Sequence, residues 1–263
     1  MIRTAALLLF CAATTLANHP VLVEGERDFD GDGLIGAAED TDNATDRVFG
    51  TLTAALGALN GAANQNGRIM IVTSGRFPEM LLITGANGNV TIEAAPGVEA
   101  DVDAVLAGAM GNAERQGMPG IVVNAPATRI ITLRNLVLRN WAEGIQLLGA
   151  SRVVIDGCRL ENNRDHGIRV AGSARATITG CHVNATGFRV APNVNNTPAP
   201  GVGVAFEGAS RGVVAGCTIS GSFRAGLLNV AAGSGQNVQV KDLVLFDNSP
   251  DLQGAVRPLP PVF

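Results

Sequence analysis

The sequence predicts an all-β chain wound as a right-handed parallel β-helix solenoid, with an amphipathic capping helix at its N-terminal end. Two repeats and their agreement carry that prediction. In the first repeat, a Gly followed by alternating apolar residues recurs at Gly120, Gly144, Gly167, Gly203 and Gly226, at steps of 24, 23, 36 and 23 residues. In the second, a run of alternating apolar residues lies between those glycines and places Leu136, Cys158, Cys181, Cys217 and Leu243 at one equivalent position. The two registers advance together, and a fixed period outranks local propensity.

Short strands recurring every 22 to 24 residues cannot bury their apolar faces alone, so successive copies must stack. Rungs about 4.8 Å apart pair each strand with the copy above and below it. Leu136, Cys158, Cys181, Cys217 and Leu243 then form one inward column, and Ile155, Ile178, Val214 and Val240 form another. Arg159 and His182 alternate out of the core and face solvent one above the other. Asn140, Asn162 and Asp247 fall at equivalent turns, an Asn-type ladder interrupted by Ala185 and Gly221. A leucine-rich repeat would need different Leu spacing and helical halves. A jelly roll would not need the shared register.

Residues 68–72 and 90–92 read as earlier, less regular coils. Residues 45–61 carry Val48, Phe49, Leu52, Ala55, Leu56 and Leu59 at helical spacing. Thr45 is placed to cap this helix and Gly61 to stop it, and its apolar stripe would cover the open end of the stack. The tail holds Pro258, Pro260 and Pro261 and is expected to leave the sheet. The chain therefore divides into residues 1–17, 18–44, a β-helix over 45–250 and a tail over 251–263.

Residues 1–17 read as a secretory signal peptide. Arg3 precedes an apolar run over residues 4–17 that ends in small residues at Ala17. The run falls short of the roughly 20 residues a membrane span needs, so the expectation is a secreted or periplasmic protein with no membrane span. The formal net charge of −4 is unevenly spread. Between Glu24 and Asp46 nine acids face one base, whereas between Arg129 and Arg224 eleven Arg face five acids, a local balance of +6. An acidic head precedes a basic body.

The head contains a twelve-residue loop of EF-hand type over residues 28–39. Calcium takes six to eight hard oxygen ligands. Asp28, Asp30 and Asp32 offer carboxylates, Leu34 its backbone carbonyl and Glu39 a bidentate carboxylate, and Gly33 permits the sharp turn. Gly36 leaves one ligand position to water, and Ile35 is the apolar anchor. The competing reading is an acidic surface loop. No helix precedes the loop and no second loop pairs with it, so a structural Ca2+ that orders the junction before the capping helix is expected.

Three cysteines remain beyond residue 17: Cys158, Cys181 and Cys217. In an inward column they act as small apolar fillers. One disulfide is the alternative, although parallel Cβ directions suit it poorly. No Cys-x-x-Cys or His pair supports zinc.

The repeat over residues 45–250 resembles the right-handed parallel β-helix proteins of the pectate-lyase-like superfamily. That resemblance implies lyases, hydrolases or epimerases working on polysaccharide along the outside of the coil. Uronate lysis needs charge neutralisation, a base and an acid, and one flank offers suitable side chains. Glu143 follows Trp141, Arg164, Asp165 and His166 come one coil later, and Phe223 and Arg224 lie beyond an insertion at residues 188–200. Arg164 or Arg224 would neutralise or abstract, and His166 or Asp165 would assist. A glycoside hydrolase would use Glu143 with Asp165. The competing reading makes Arg164, Asp165 and His166 turn residues on a solvated rim.

Nine Phe, one Trp and no Tyr disfavour neutral sugars, which stack on aromatic rings. The basic body favours an acidic polysaccharide or surface glycan. Nucleic acid is not expected, because export and the missing aromatic platforms oppose it, and a monomer is expected. The alternative function is a non-catalytic cell-surface or envelope β-helix that binds glycans or supports assembly.

Overall fold

The computed structural model describes residues 21–23, 47–59, 66–85, 88–104, 117–187, 201–231 and 237–258. From Asn66–Ile71 onward the chain follows one path again and again, laying a strand in each of three sheets before rising to the next rung. A typical coil runs through Arg152–Asp156, Arg159–Glu161 and His166–Val170. The following coil places Arg175–Thr179, His182–Asn184 and Val202–Gly208 on it in parallel register, so that Arg152 meets Arg175, Arg159 meets His182 and His166 meets Val202. The resulting sheets have ten, seven and seven strands. They are called here the first, second and third sheet in the order the chain visits them.

Each second repeat unit splits into two strands, one in the first sheet and one in the second, because a single residue between them turns the backbone. Asn135, Gly157, Gly180, Gly216 and Asp242 occupy that bend with φ of 54°, 62°, 58°, 59° and 47°. The next corner repeats the device with Asn140, Asn162, Ala185, Gly221 and Asp247 at φ of 65°, 54°, 54°, 62° and 56°. The turn ladder is thus a column of left-handed backbone. Asn, Asp and Gly suit it, so Gly221 continues the ladder instead of interrupting it, and Ala185 alone is strained.

The core is the set of inward columns. Leu133, Ile155, Ile178 and Val214 stack in one file and Leu138, Leu160, Val183 and Ile219 in another, all with at most 1% of their surface exposed. Phe206 fits because the neighbouring position is Gly212, where a Cβ would lie 2.8 Å from the Phe206 ring. Cys158, Cys181 and Cys217 are buried, free and in single file, and the Cys181 N–H donates to Cys217 Sγ at 3.4 Å. Hydrogen bonding between neighbouring thiols, with burial, holds Cys181 and Cys217 above the usual thiol range. They pack as neutral fillers.

Two boundaries differ from the sequence expectation. The helix spans Leu52–Ala58 with Thr51 as its N-cap, not residues 45–61, because Arg47–Phe49 pairs as a strand with Val21–Val23. It buries Leu52, Ala55 and Leu56, and the Leu52 and Thr53 N–H groups donate to Glu79. At the other end the sheets continue past residue 250. Leu252–Gln253 pairs with Leu227 and Leu228, and Arg257–Pro258 pairs with Gln239 and Val240. Pro258 is accommodated on the last strand of the first sheet, where its missing N–H deprives no further rung of a donor.

Candidate functional site

Glu143 opens the third-sheet strand Glu143–Leu147, and His166 opens the strand on the next rung, directly beside it. His166 Nδ1 lies 3.5 Å from Glu143 Oε1. Arg169 Nη1 approaches the same oxygen at 3.2 Å, while its Nε donates to Glu207 Oε2 at 2.9 Å. On the turn leading into the His166 strand, Arg164 Nη1 contacts Asp165 Oδ1 at 2.6 Å. Glu143, Arg164 and His166 are all at least 93% buried, so the solvated-rim reading does not describe them. Glu143 Oε2 and His166 Nδ1 are buried without a hydrogen-bond partner in the structure.

The turn is fixed from below. Trp141 is fully buried, and its Nε1 donates to the Val102 carbonyl at 2.8 Å. Its backbone N–H donates to Asn163 Oδ1 at 3.1 Å, and Asn163 Nδ2 donates in turn to the Leu138 carbonyl at 3.2 Å. The N–H groups of Arg164, Asp165 and His166 donate to the carbonyls of Trp141 and Ala142. All three of these N–H groups are therefore committed to the preceding coil.

Burial raises the Asp165 carboxyl above the ordinary range, against the opposing charges of Arg164 and His166. Burial works against the charge on Arg169, but Glu207 and Glu143 outweigh it and raise its pKa overall. The arrangement provides an imidazole 3.5 Å from a carboxylate, a second carboxyl whose pKa burial raises, and two arginines paired with acids. Those are the parts of a proton-transfer site.

Of the five residues expected from sequence, Glu143, Arg164, Asp165 and His166 come together. Arg224 does not join their ion pairs. Its backbone N–H donates to Gly201, and the Val202 N–H donates to Asp165. This places Arg224 two rungs along, about 10 Å away, with an exposed side chain next to Phe223, which is 64% exposed. Sequence reasoning missed Arg169 and Glu207. The signal for Arg169 was present, because the third position of a Gly-Ile-x-Val unit alternates outward. The calcium-loop residues Asp28, Asp30, Asp32, Leu34 and Glu39, the signal peptide and the insertion at 188–200 lie outside the described residues. Among the described residues no group of three or more His, Cys, Asp or Glu is placed to hold a metal ion.

A second polar face lies on the second sheet. Asp101 and Asp103 precede Arg139, Glu161 and Arg159 on successive rungs, with His182 beyond. Arg139 Nε pairs with Asp101 at 2.9 Å, Arg159 Nη2 with Glu161 at 2.8 Å, and Asn140 Nδ2 donates to Asp103 at 2.7 Å.

The model of the family described as "Right handed beta helix region" matches residues 119–256. The chain belongs to this right-handed β-helix family. Among solved structures, pectate lyase Pel9A is similar over 84% of this β-helix chain and 67% of its own, at 14% identity and a TM-score of 0.45. The pectin methylesterase from Aspergillus niger, in deglycosylated form, is similar over 94% of this chain and 91% of its own, at 11% identity and a TM-score of 0.38. No curated protein matches the β-helix chain by sequence. No helix among its described residues is long and apolar enough to cross a membrane.

Proposed function

We propose that the chain is an exported, calcium-binding β-helix protein that recognises an acidic polysaccharide and acts on it as a lyase. The observation that carries the reading is the buried Glu143–His166 pair on the third sheet, with Asp165 beside it. In a β-elimination, His166 Nε2 takes the proton from the carbon next to the uronate carboxyl. The electron pair forms the carbon–carbon double bond, the glycosidic carbon–oxygen bond breaks, and Asp165 gives its proton to the leaving oxygen. Glu143, 3.5 Å from Nδ1, stabilises the imidazolium that this step forms. Arg224 and Phe223, two rungs along, engage the carboxylate and ring face of a neighbouring sugar.

Residues 1–17 direct export, the loop over 28–39 takes Ca2+ through Asp28, Asp30, Asp32, Leu34 and Glu39, and the helix Leu52–Ala58 covers the first rungs. The test is incubation of the calcium-loaded chain with pectate, alginate and glycosaminoglycans, following the ultraviolet absorbance of unsaturated products. Glu143→Gln and His166→Ala should each lower the rate at least 100-fold, and Arg224→Gln should act on KM more than on kcat. Absence of both product and binding would refute the proposal.

One observation favours a second reading, that of a non-catalytic surface β-helix. Arg164 and Arg169 are already neutralised by Asp165, Glu143 and Glu207, which leaves fewer charges for a reacting carboxylate. Binding without product would select that reading.

A further inference from the structure

The outer face of the first sheet carries a charge pattern found nowhere else on the described surface. Arg152, Arg175 and Arg211 stand on three successive rungs in direct register. All three are exposed, and no carboxylate among the described residues forms an ion pair with any of them. Most other arginines of the coil are neutralised by acids: Arg68 by Glu93, Arg134 by Glu93 and Asp156, Arg139 by Glu99, Asp101 and Glu161, Arg159 by Glu161 and Glu99, and Arg169 by Glu143 and Glu207. Like charges placed directly opposite on paired strands repel, so an uncompensated row is a standing cost that a bound anion removes.

The three arginines line one wall of a shallow, open groove of about 410 Å³. Its floor and other wall come from the column two residues along the same strands, including Val154, Thr177, Val213 and Gln239. The groove therefore runs along the coil axis, across the strands, and offers one guanidinium per rung of about 4.8 Å, with the Thr177 hydroxyl, the Gln239 amide and two valines opposite.

We infer that this groove is a second binding surface, separate from the third-sheet cluster, that holds a strand of 1,4-linked uronate lying parallel to the coil axis. The inference rests on the acidic-polysaccharide reading. A 1,4-linked uronate strand carries one carboxylate per sugar and turns successive sugars to different sides, so carboxylates on one side recur about every second rung and meet guanidiniums two rungs apart, such as Arg152 and Arg211, in fork-to-carboxylate geometry. Its hydroxyls meet Thr177 and Gln239. A single-stranded polynucleotide would find charge here but no aromatic platform for its bases.

The test measures binding of a fluorescently labelled 1,4-linked hexauronate to the full chain, at low and physiological salt. The triple variant Arg152→Gln, Arg175→Gln, Arg211→Gln should bind at least tenfold more weakly and lose most of the salt dependence. The corresponding triple Lys variant should keep the salt dependence and part of the affinity. Arg68→Gln, at a neutralised site, should bind as the wild type does. Because the three side chains are exposed, the Gln variant should melt no lower than the wild type, and the salt-induced rise in its melting midpoint should shrink. Wild-type binding with an unaffected Gln variant would overturn the ladder and leave the polysaccharide reading standing. No hexauronate binding by the wild type would overturn the uronate ladder, and no binding of pectate, alginate or glycosaminoglycans as well would overturn both. Tighter binding of a single-stranded polynucleotide through the same arginines would overturn the uronate assignment.

Discussion

Replacing Gly167 by alanine adds one carbon at a place where the next rung leaves no room for it. An alanine Cβ there would collide with the Val183 side chain and lie 2.6 Å from the Gly203 carbonyl oxygen. The same holds along the whole glycine column. A Cβ at Gly144 would lie 2.7 Å from the Gly167 oxygen, one at Gly203 would lie 2.6 Å from the Gly226 oxygen, and one at Gly226 would lie 2.7 Å from the Asp251 oxygen. Val183 can rotate, but the Gly203 carbonyl belongs to a backbone ladder and can retreat only by separating two rungs. Overpacking of this kind costs about 1–3 kcal/mol, and a backbone obstacle puts Gly167→Ala near 3 kcal/mol. For a chain of this size that lowers the melting midpoint by roughly 6–12 °C. Gly57→Ala is the matched control. Gly57 is helical and a Cβ there meets nothing within 4 Å, so the same substitution should stabilise by about 0.5–1 kcal/mol. Circular-dichroism melts of both variants decide the matter. Gly167→Ala melting with the wild type, or both variants shifting in the same direction, would refute the steric account of the repeat.

Ala185→Gly should raise the midpoint by a few degrees, since a left-handed alanine at φ 54° costs about 1 kcal/mol relative to glycine; an unchanged or lower midpoint would count against strain at that corner. Burial lifts the Asp101 carboxyl to about 6 from an ordinary 3.8, so the folded state holds its proton more tightly than the unfolded chain. That contribution is complete below about pH 4 and is lost as pH rises through about 6, by up to about 3 kcal/mol. Asp101→Asn should flatten stability across that window, and matching pH profiles for variant and wild type would reject it. Chelation should lower the melting midpoint of the calcium-loaded chain, and Asp30→Asn with Glu39→Gln should abolish the difference; a chelator-insensitive wild type would remove the structural calcium.

The coil was legible because its causes are local and repeated. Alternation fixed which residues of Arg175–Thr179 face inward, and the common step fixed what lies above and below them. What the sequence hid depends on contacts between unlike parts of the chain. Val48 and Phe49 fit a helical stripe, yet they belong to a strand because Val21–Val23 stands beside them, a pairing no period announces. Trp141 read as a loop aromatic. Its burial depends on the Val102 carbonyl, on an irregular early coil, and on the space left by Gly120. Glu207 escaped notice because it meets Arg169 diagonally, two residues beyond Ala205, the register partner of Arg169.

A solenoid turns spacing in sequence into a straight array in space, and on the first sheet two such arrays can be compared on the same strands. In one column Arg134 stands between Glu93 and Asp156, at 3.9 Å and 3.5 Å. Four residues earlier along those strands, the other column presents Arg152, Arg175 and Arg211 with no acid paired to them among the described residues. Twist, solvent and rung spacing are shared, so the difference lies in residue type alone. At about 5 Å in water each adjacent guanidinium pair repels by roughly 1 kcal/mol, less once salt screens it. That penalty is small enough for a folded chain to carry and large enough to return as affinity when anions occupy the row. The third-sheet cluster has the opposite construction, with Glu143 and Glu207 holding Arg169 in place and little charge left over. Orientation of reacting groups calls for a neutralised array and capture of a polyanion for an open one, so under the proposed function the two faces would divide the work between them.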